Sequence, residues 1–171
     1  MGRNFKDNIL KSLYNFTPVI LLFISVLNEI DFNYSGMKFF SFNFAYILIF
    51  YYSLKRGGGI GYIFIFIAGL FNDVINGLPM GISSLCYLLL CAATAYLRNI
   101  TLRPSLIKDW VFFLLTILFL NFITFIYLIL FFNYEISYFD QAVNVIGTFL
   151  LYFFFSFIFK LYEKSILGQS N

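Results

Sequence analysis

The chain has 171 residues, of which 61% are hydrophobic and only 11% charged, with a formal net charge of +3; soluble domains carry roughly 25% charged residues. A soluble domain of this length keeps too much of its volume near water to hide so much apolar surface, which excludes that class and implies a lipid bilayer. No basic face or run marks a nucleic-acid partner, and the absence of histidine removes the commonest general base and metal ligand.

A bilayer core of roughly 30 Å needs about 20 apolar residues per helix. The first apolar run, 13–27, follows Arg3, Lys6 and Lys11, as in a signal peptide. No A-x-A-like site follows Leu27, and Asn28, Glu29 and Asp31 come next, so this run is read as a retained span. Five more runs follow, at 39–54, 60–75, 80–97, 110–132 and 142–162. The predicted fold class is therefore an all-α integral membrane protein, a six-transmembrane-helix bundle forming one domain over 1–171. The second and third runs are short and joined by Gly57-Gly58-Gly59, so five spans with a re-entrant element is the alternative. The 26 Phe and 13 Tyr suit lipid-facing and interfacial positions.

Six crossings place Arg3, Lys6, Lys11, Lys55, Arg56, Arg98, Arg103, Lys108, Lys160 and Lys164 on one side, and Lys38 alone on the other. Positive-inside bias makes the first side cytoplasmic, with both termini inside. The outer side carries Glu29, Asp31, Glu135 and Asp140. All loops are short, and no repeat or linker is present.

Membrane helices approach closely where side chains are small. The fourth span, with Gly81, Ser83, Ser84, Cys86, Cys91, Ala92, Ala93, Thr94 and Ala95, is expected to be central. Cys86 and Cys91, five residues apart and off a common face, read as packing residues. On the third span Gly61, Gly69 and Asp73 share one face, which is expected to pack against the fourth. The fifth span is bulky except for Asn121 and Thr124; Asn121 lies near mid-bilayer and needs a partner helix. On the sixth, Asn144, Thr148, Tyr152 and Ser156 form a polar stripe, read as interhelical hydrogen bonding or a lining for a ligand or partner. Expected packing positions are thus Gly61, Gly69, Ala92, Ala95, Asn121, Asn144 and Thr148. Slim faces serve packing within one chain and between copies alike, so a homo-oligomer stays open.

The most informative stretch is 68–85, AGLFNDVINGLPMGISSL. Gly77 closes the third helix in a left-handed conformation, Pro79 fits the first turn of the fourth, and Gly81 keeps that helix slim. Asp73 stands near a helix C-terminus, where the macrodipole disfavours a negative charge. An acid kept there is a functional-site candidate; the plainer reading is a hydrated interfacial acid or a bond to a neighbouring helix. Ser83 and Ser84 have no candidate base except Asp73, and no other catalytic constellation appears, so an enzyme is not expected, nor a metal or cofactor.

This stretch resembles the bacterial rod-shape-determining MreD family, which has an acid near a helix end followed by a G-x-P-L-G-like turn. Asp73, Gly77, Leu78, Pro79, Met80 and Gly81 match it, with Met80 in place of the commoner Leu. Length, span number and short loops agree along the chain, although the motif covers under twenty residues. The resemblance implies a non-enzymatic inner-membrane subunit of the cell-elongation machinery. Its partner would be MreC, a periplasmic scaffold, and through it the MreB filament, the glycosyltransferase RodA and the elongation transpeptidase. It also implies a fold similar to the substrate-binding S-components of energy-coupling-factor transporters, with Asp73, Gly77, Pro79 and Gly81 as the partner-binding positions. A vitamin-binding S-component is the alternative, but the first span, FTPVILLFISVLNE, lacks the A-x-x-x-A-like docking pattern of those proteins. A small ion or lipid translocator would have only Asp73 and the sixth-span stripe as its path, and ranks last.

Overall fold

The computed structural model describes residues 16–27, 42–56, 60–100, 105–132 and 138–167. These form six helices and no strand: α1 (Phe16–Leu27), α2 (Phe44–Arg56), α3 (Tyr62–Ile75), α4 (Ile82–Ile100), α5 (Leu106–Phe132) and α6 (Tyr138–Leu167). Each coincides with one predicted apolar run. Arg3, Lys6, Lys11, Lys38, Arg103, Glu29, Asp31, Glu135 and the Gly57-Gly58-Gly59 turn lie outside the described residues. The last two helices are longer than the apolar runs that announced them. Their polar ends, Lys108 and Asp109 on α5 and Glu163 and Lys164 on α6, continue the helix past the apolar stretch.

α4 is central, as its small residues led one to expect, and α2 is the helix most completely enclosed. Every residue from Ala45 to Ser53 is buried. AYILIFYYS offers apolar surface on every side, and here the neighbouring helices cover all of it. Small residues mark where backbones approach, whereas bulky aromatics fill the middle. Phe50 meets Phe113 of α5 at 4.8 Å and Tyr152 of α6 at 5.5 Å between ring centroids. Tyr152 stacks on Phe113 at 4.4 Å. α4 packs on α2, α3 and α5, and α6 closes on α2 and α5. α1 buries Leu22 and Val26 and sets Phe23 edge-on against Phe71 of α3.

The polar groups inside are joined between helices. Asn43 caps α2, its Oδ1 accepting from the Tyr46 N–H at 3.1 Å, while its own N–H donates to Thr148 Oγ1 at 2.8 Å. Thr148, Tyr152 and Ser156 are buried, and of these Thr148 takes the bond from outside α6, accepting from Asn43. Cys91 touches Ser53 of α2 at 3.5 Å and Cys86 touches Thr124 of α5 at 3.1 Å, so both free thiols sit at helix contacts.

The outside is apolar too. Leu130 and Phe131 of α5 and Phe153, Phe154 and Phe157 of α6 are all exposed. α5 and α6 each hold a stretch long and apolar enough to cross a membrane, Leu106–Phe132 and Gln141–Lys164, while α1, α2 and α3 are shorter apolar helices. An exposed apolar surface of this extent marks a lipid or protein contact.

Candidate functional site

The Asp73 turn is built by helix-end chemistry. α3 stops at Ile75 because Gly77 takes φ +62, where a side chain would crowd the following carbonyl. The Leu78 N–H then reaches back to the Asp73 carbonyl at 2.9 Å, and the Asn76 N–H to that of Asn72 at 3.0 Å. This six-to-one closure is the Schellman pattern that satisfies terminal carbonyls. Pro79 corrects the sequence reading: α4 starts at Ile82, so Pro79 precedes its first turn and offers its carbonyl to the Ile82 N–H at 3.4 Å. Gly81, in the cap position, has φ +102. Replacing it with alanine meets no neighbouring atom, so only backbone strain is added. Gly81→Ala is therefore expected to cost about 1–2 kcal/mol, visible as a lower melting temperature in detergent with the helix content unchanged.

A glycine cap has no side chain to satisfy the first N–H groups of α4. Asp73 does this from the preceding helix. Its Oδ2 accepts from the Gly81 N–H at 2.7 Å and its Oδ1 from the Ser83 N–H at 2.9 Å. The carboxylate is 0% exposed. The expected clash with the α3 dipole is thus offset by the positive end of α4, and charge-assisted bonds hold the acid there. Of the two plain readings, the bond to a neighbouring helix is the one observed. Around it, Asn72 Nδ2 donates to Ser83 Oγ at 2.9 Å, and Ser84 Oγ donates to the Phe66 carbonyl at 2.9 Å.

Asp73 and Gly69 stand one turn apart on the α3 face that packs against α4, along with Ile65 and Ala68. Gly69 is the closest approach: a Cβ there would lie 2.4 Å from Ser84 Cα. Gly61 lies just before α3, at its N-cap, with φ +42. Ala95 is half-buried near it, whereas Ala92, expected at a packing position, is exposed. Asn121 is half-buried. Its Nδ2 donates to the Ile117 carbonyl of its own helix at 2.8 Å, and Thr124, on the same face, makes the link to α4. Asn144 is half-buried at the start of the α6 stripe and accepts from Thr148 through its carbonyl at 2.7 Å.

At the surface the turn presents exposed Gly77, half-buried Leu78 and Pro79, and Met80, which is 77% exposed. Beside it lies a recess of about 100 Å³ lined by the amides Asn43, Asn72, Asn76 and Asn144 with Ser25 and Phe42. Sequence reasoning named only Asn144 of these four. They come from the cap before α2, from α3 and its C-cap, and from α6, and no spacing in one segment predicts their convergence. Among the described residues no cluster of His, Cys, Asp and Glu could hold a metal ion. No protein-family model, curated protein or solved structure matches the chain.

Proposed function

We propose that this chain is a non-enzymatic, six-span subunit of a bacterial inner membrane, similar to MreD, whose Asp73–Gly81 turn docks MreC. In this reading it links MreB, RodA and the elongation transpeptidase through that scaffold. The observation that carries it is the latched turn: a buried carboxylate fixes the backbone so that Met80 stands out from a rigid platform. A partner that meets a preorganised surface loses less conformational entropy on binding. The amide recess beside it offers donors and acceptors suited to an extended backbone.

Direction supports the same reading. Lys55, Arg98, Lys108, Lys160 and Lys164 cluster at the end of the bundle opposite the turn. Positive-inside bias turns that end to the cytoplasm and the Asp73 turn to the periplasm. The short α2 is enclosed by the other helices along Ala45–Ser53, so it does not need to meet lipid along its length. The Ser84 hydroxyl is spent on the Phe66 carbonyl, which fits a packing role at the α3–α4 contact.

Met80→Glu tests the docking face directly, because the side chain contributes little to the fold. Recovery of MreC with the tagged chain in mild detergent is expected to fall at least about tenfold, the equivalent of ~1.4 kcal/mol, with an unchanged melting temperature. Equal recovery would remove Met80 from the interface. A thermal shift with one member of a vitamin panel would instead favour the S-component reading.

A further inference from the structure

At the end of the bundle away from the turn, a cavity of about 500 Å³ opens between α2, α4, α5 and α6. Its wall carries Lys55, Arg98, Asp109 and Lys160, with Tyr51 and Ser156 as neutral polar groups. Lys55 is engaged: its ammonium pairs with Glu163 at 3.0 Å and lies over the Tyr51 ring at 5.4 Å. Arg98 and Lys160 have no described carboxylate within 4.0 Å. With Lys55 neutralised by Glu163, and Asp109 opposing only one of the two remaining cations, the cavity keeps a net positive charge.

A small crevice of about 30 Å³ adjoins this cavity and shares Leu106, Tyr152, Ser156 and Lys160 with it. Its other residues are Trp110, Phe153 and Phe157. Phe153 and Phe157 are exposed on the outer, apolar face of α6. The Trp110 indole is fixed, stacked on Phe149 at 4.3 Å and donating to the Phe149 carbonyl at 3.0 Å. A cationic chamber that opens along an aromatic crevice onto an apolar surface fits an amphiphile with an anionic head. A soluble anion would use the chamber and leave the crevice without a role.

We propose that this cavity holds the phosphate headgroup of an anionic phospholipid through Arg98 and Lys160, with an acyl chain in the Trp110–Phe157 crevice. Arg98 provides a planar fork for phosphate oxygens and Lys160 a point charge. A volume of this size is ordinary for a ligand site, and the basic end of a positive-inside protein meets the leaflet rich in anionic lipid. The proposal rests on the membrane embedding of the chain but not on the choice of MreC as partner.

The test is native mass spectrometry of the full chain extracted in mild detergent, titrated with phosphatidylglycerol, phosphatidylcholine and glycerol 3-phosphate. Phosphatidylglycerol is expected to bind at least about tenfold tighter than either other probe, and Arg98→Gln with Lys160→Gln to abolish that preference. Comparison of the three probes on the unaltered chain needs no variant to fold. Equal binding of the two lipids, a preference that survives both substitutions, or glycerol 3-phosphate binding as tightly as the lipid would overturn the proposal. Recovery of the chain in the soluble fraction, read before any lipid is added, would overturn the membrane reading on which it rests.

Discussion

Gly69→Ala is expected to destabilise the protein by about 2–3 kcal/mol, an overpacking cost, and to lower its melting temperature by roughly 5–10 °C. Intrinsic propensity argues the other way, since alanine is favoured over glycine within a helix by about 1 kcal/mol. The sign of the change therefore separates packing from propensity. The new methyl would lie 2.4 Å from Ser84 Cα and 2.5 Å from Ser84 N. Both are backbone atoms, so no rotamer change relieves the contact. α3 must move off α4, and the Ser84 hydroxyl would leave the Phe66 carbonyl it now reaches at 2.9 Å. Thermal unfolding in detergent followed by circular dichroism reads this; a melting temperature at or above that of the unaltered chain would show that the two helices are not in such contact.

Asp73→Ala is expected to cost about 2–4 kcal/mol, combining a lost helix cap with two N–H groups left unpaired in a buried place. The damage is local in origin. Amide exchange at Gly81 and Ser83, the two donors to the carboxylate, should rise before that of the rest of α4. Asp73→Asn restores one acceptor but turns an amide donor toward the second N–H, so it should recover only part of the loss. MreC recovery should fall with Asp73→Ala as well. Here the fall accompanies lower stability, whereas Met80→Glu separates the two. Unchanged exchange at Gly81 and Ser83 would mean that the latch does not hold the turn.

The helices themselves were legible because each is a continuous apolar run, and such runs need no knowledge of their neighbours. The Gly77 turn was legible for the same reason: a helix stop is written locally, and the left-handed φ follows from the residue type. Asp73 was recognised as anomalous but its partner was not, because a carboxylate capping the next helix is a relation across eight and ten residues through a bend. The pairing of Gly69 with Ser84 is likewise a contact between helices, and only the small side chain hinted at it. α2 was underestimated because attention to small residues overlooks a helix whose mark is the lack of any polar side. Asn121 binds the Ile117 carbonyl of its own helix with one amide hydrogen, a local bond that the residue type alone does not announce. The cavity of the basic end joins four helices, and its charges had been read only as topology signals.

The central claim is that the exposed turn faces the periplasm and meets MreC. Site-specific photocrosslinking from Met80, in living cells that carry the full chain, tests both parts at once. A photoreactive residue at Met80 should give one dominant adduct containing MreC, while the same residue at Lys164, at the opposite end of the bundle, should give none. An adduct with MreC from Lys164 and none from Met80 would contradict the account.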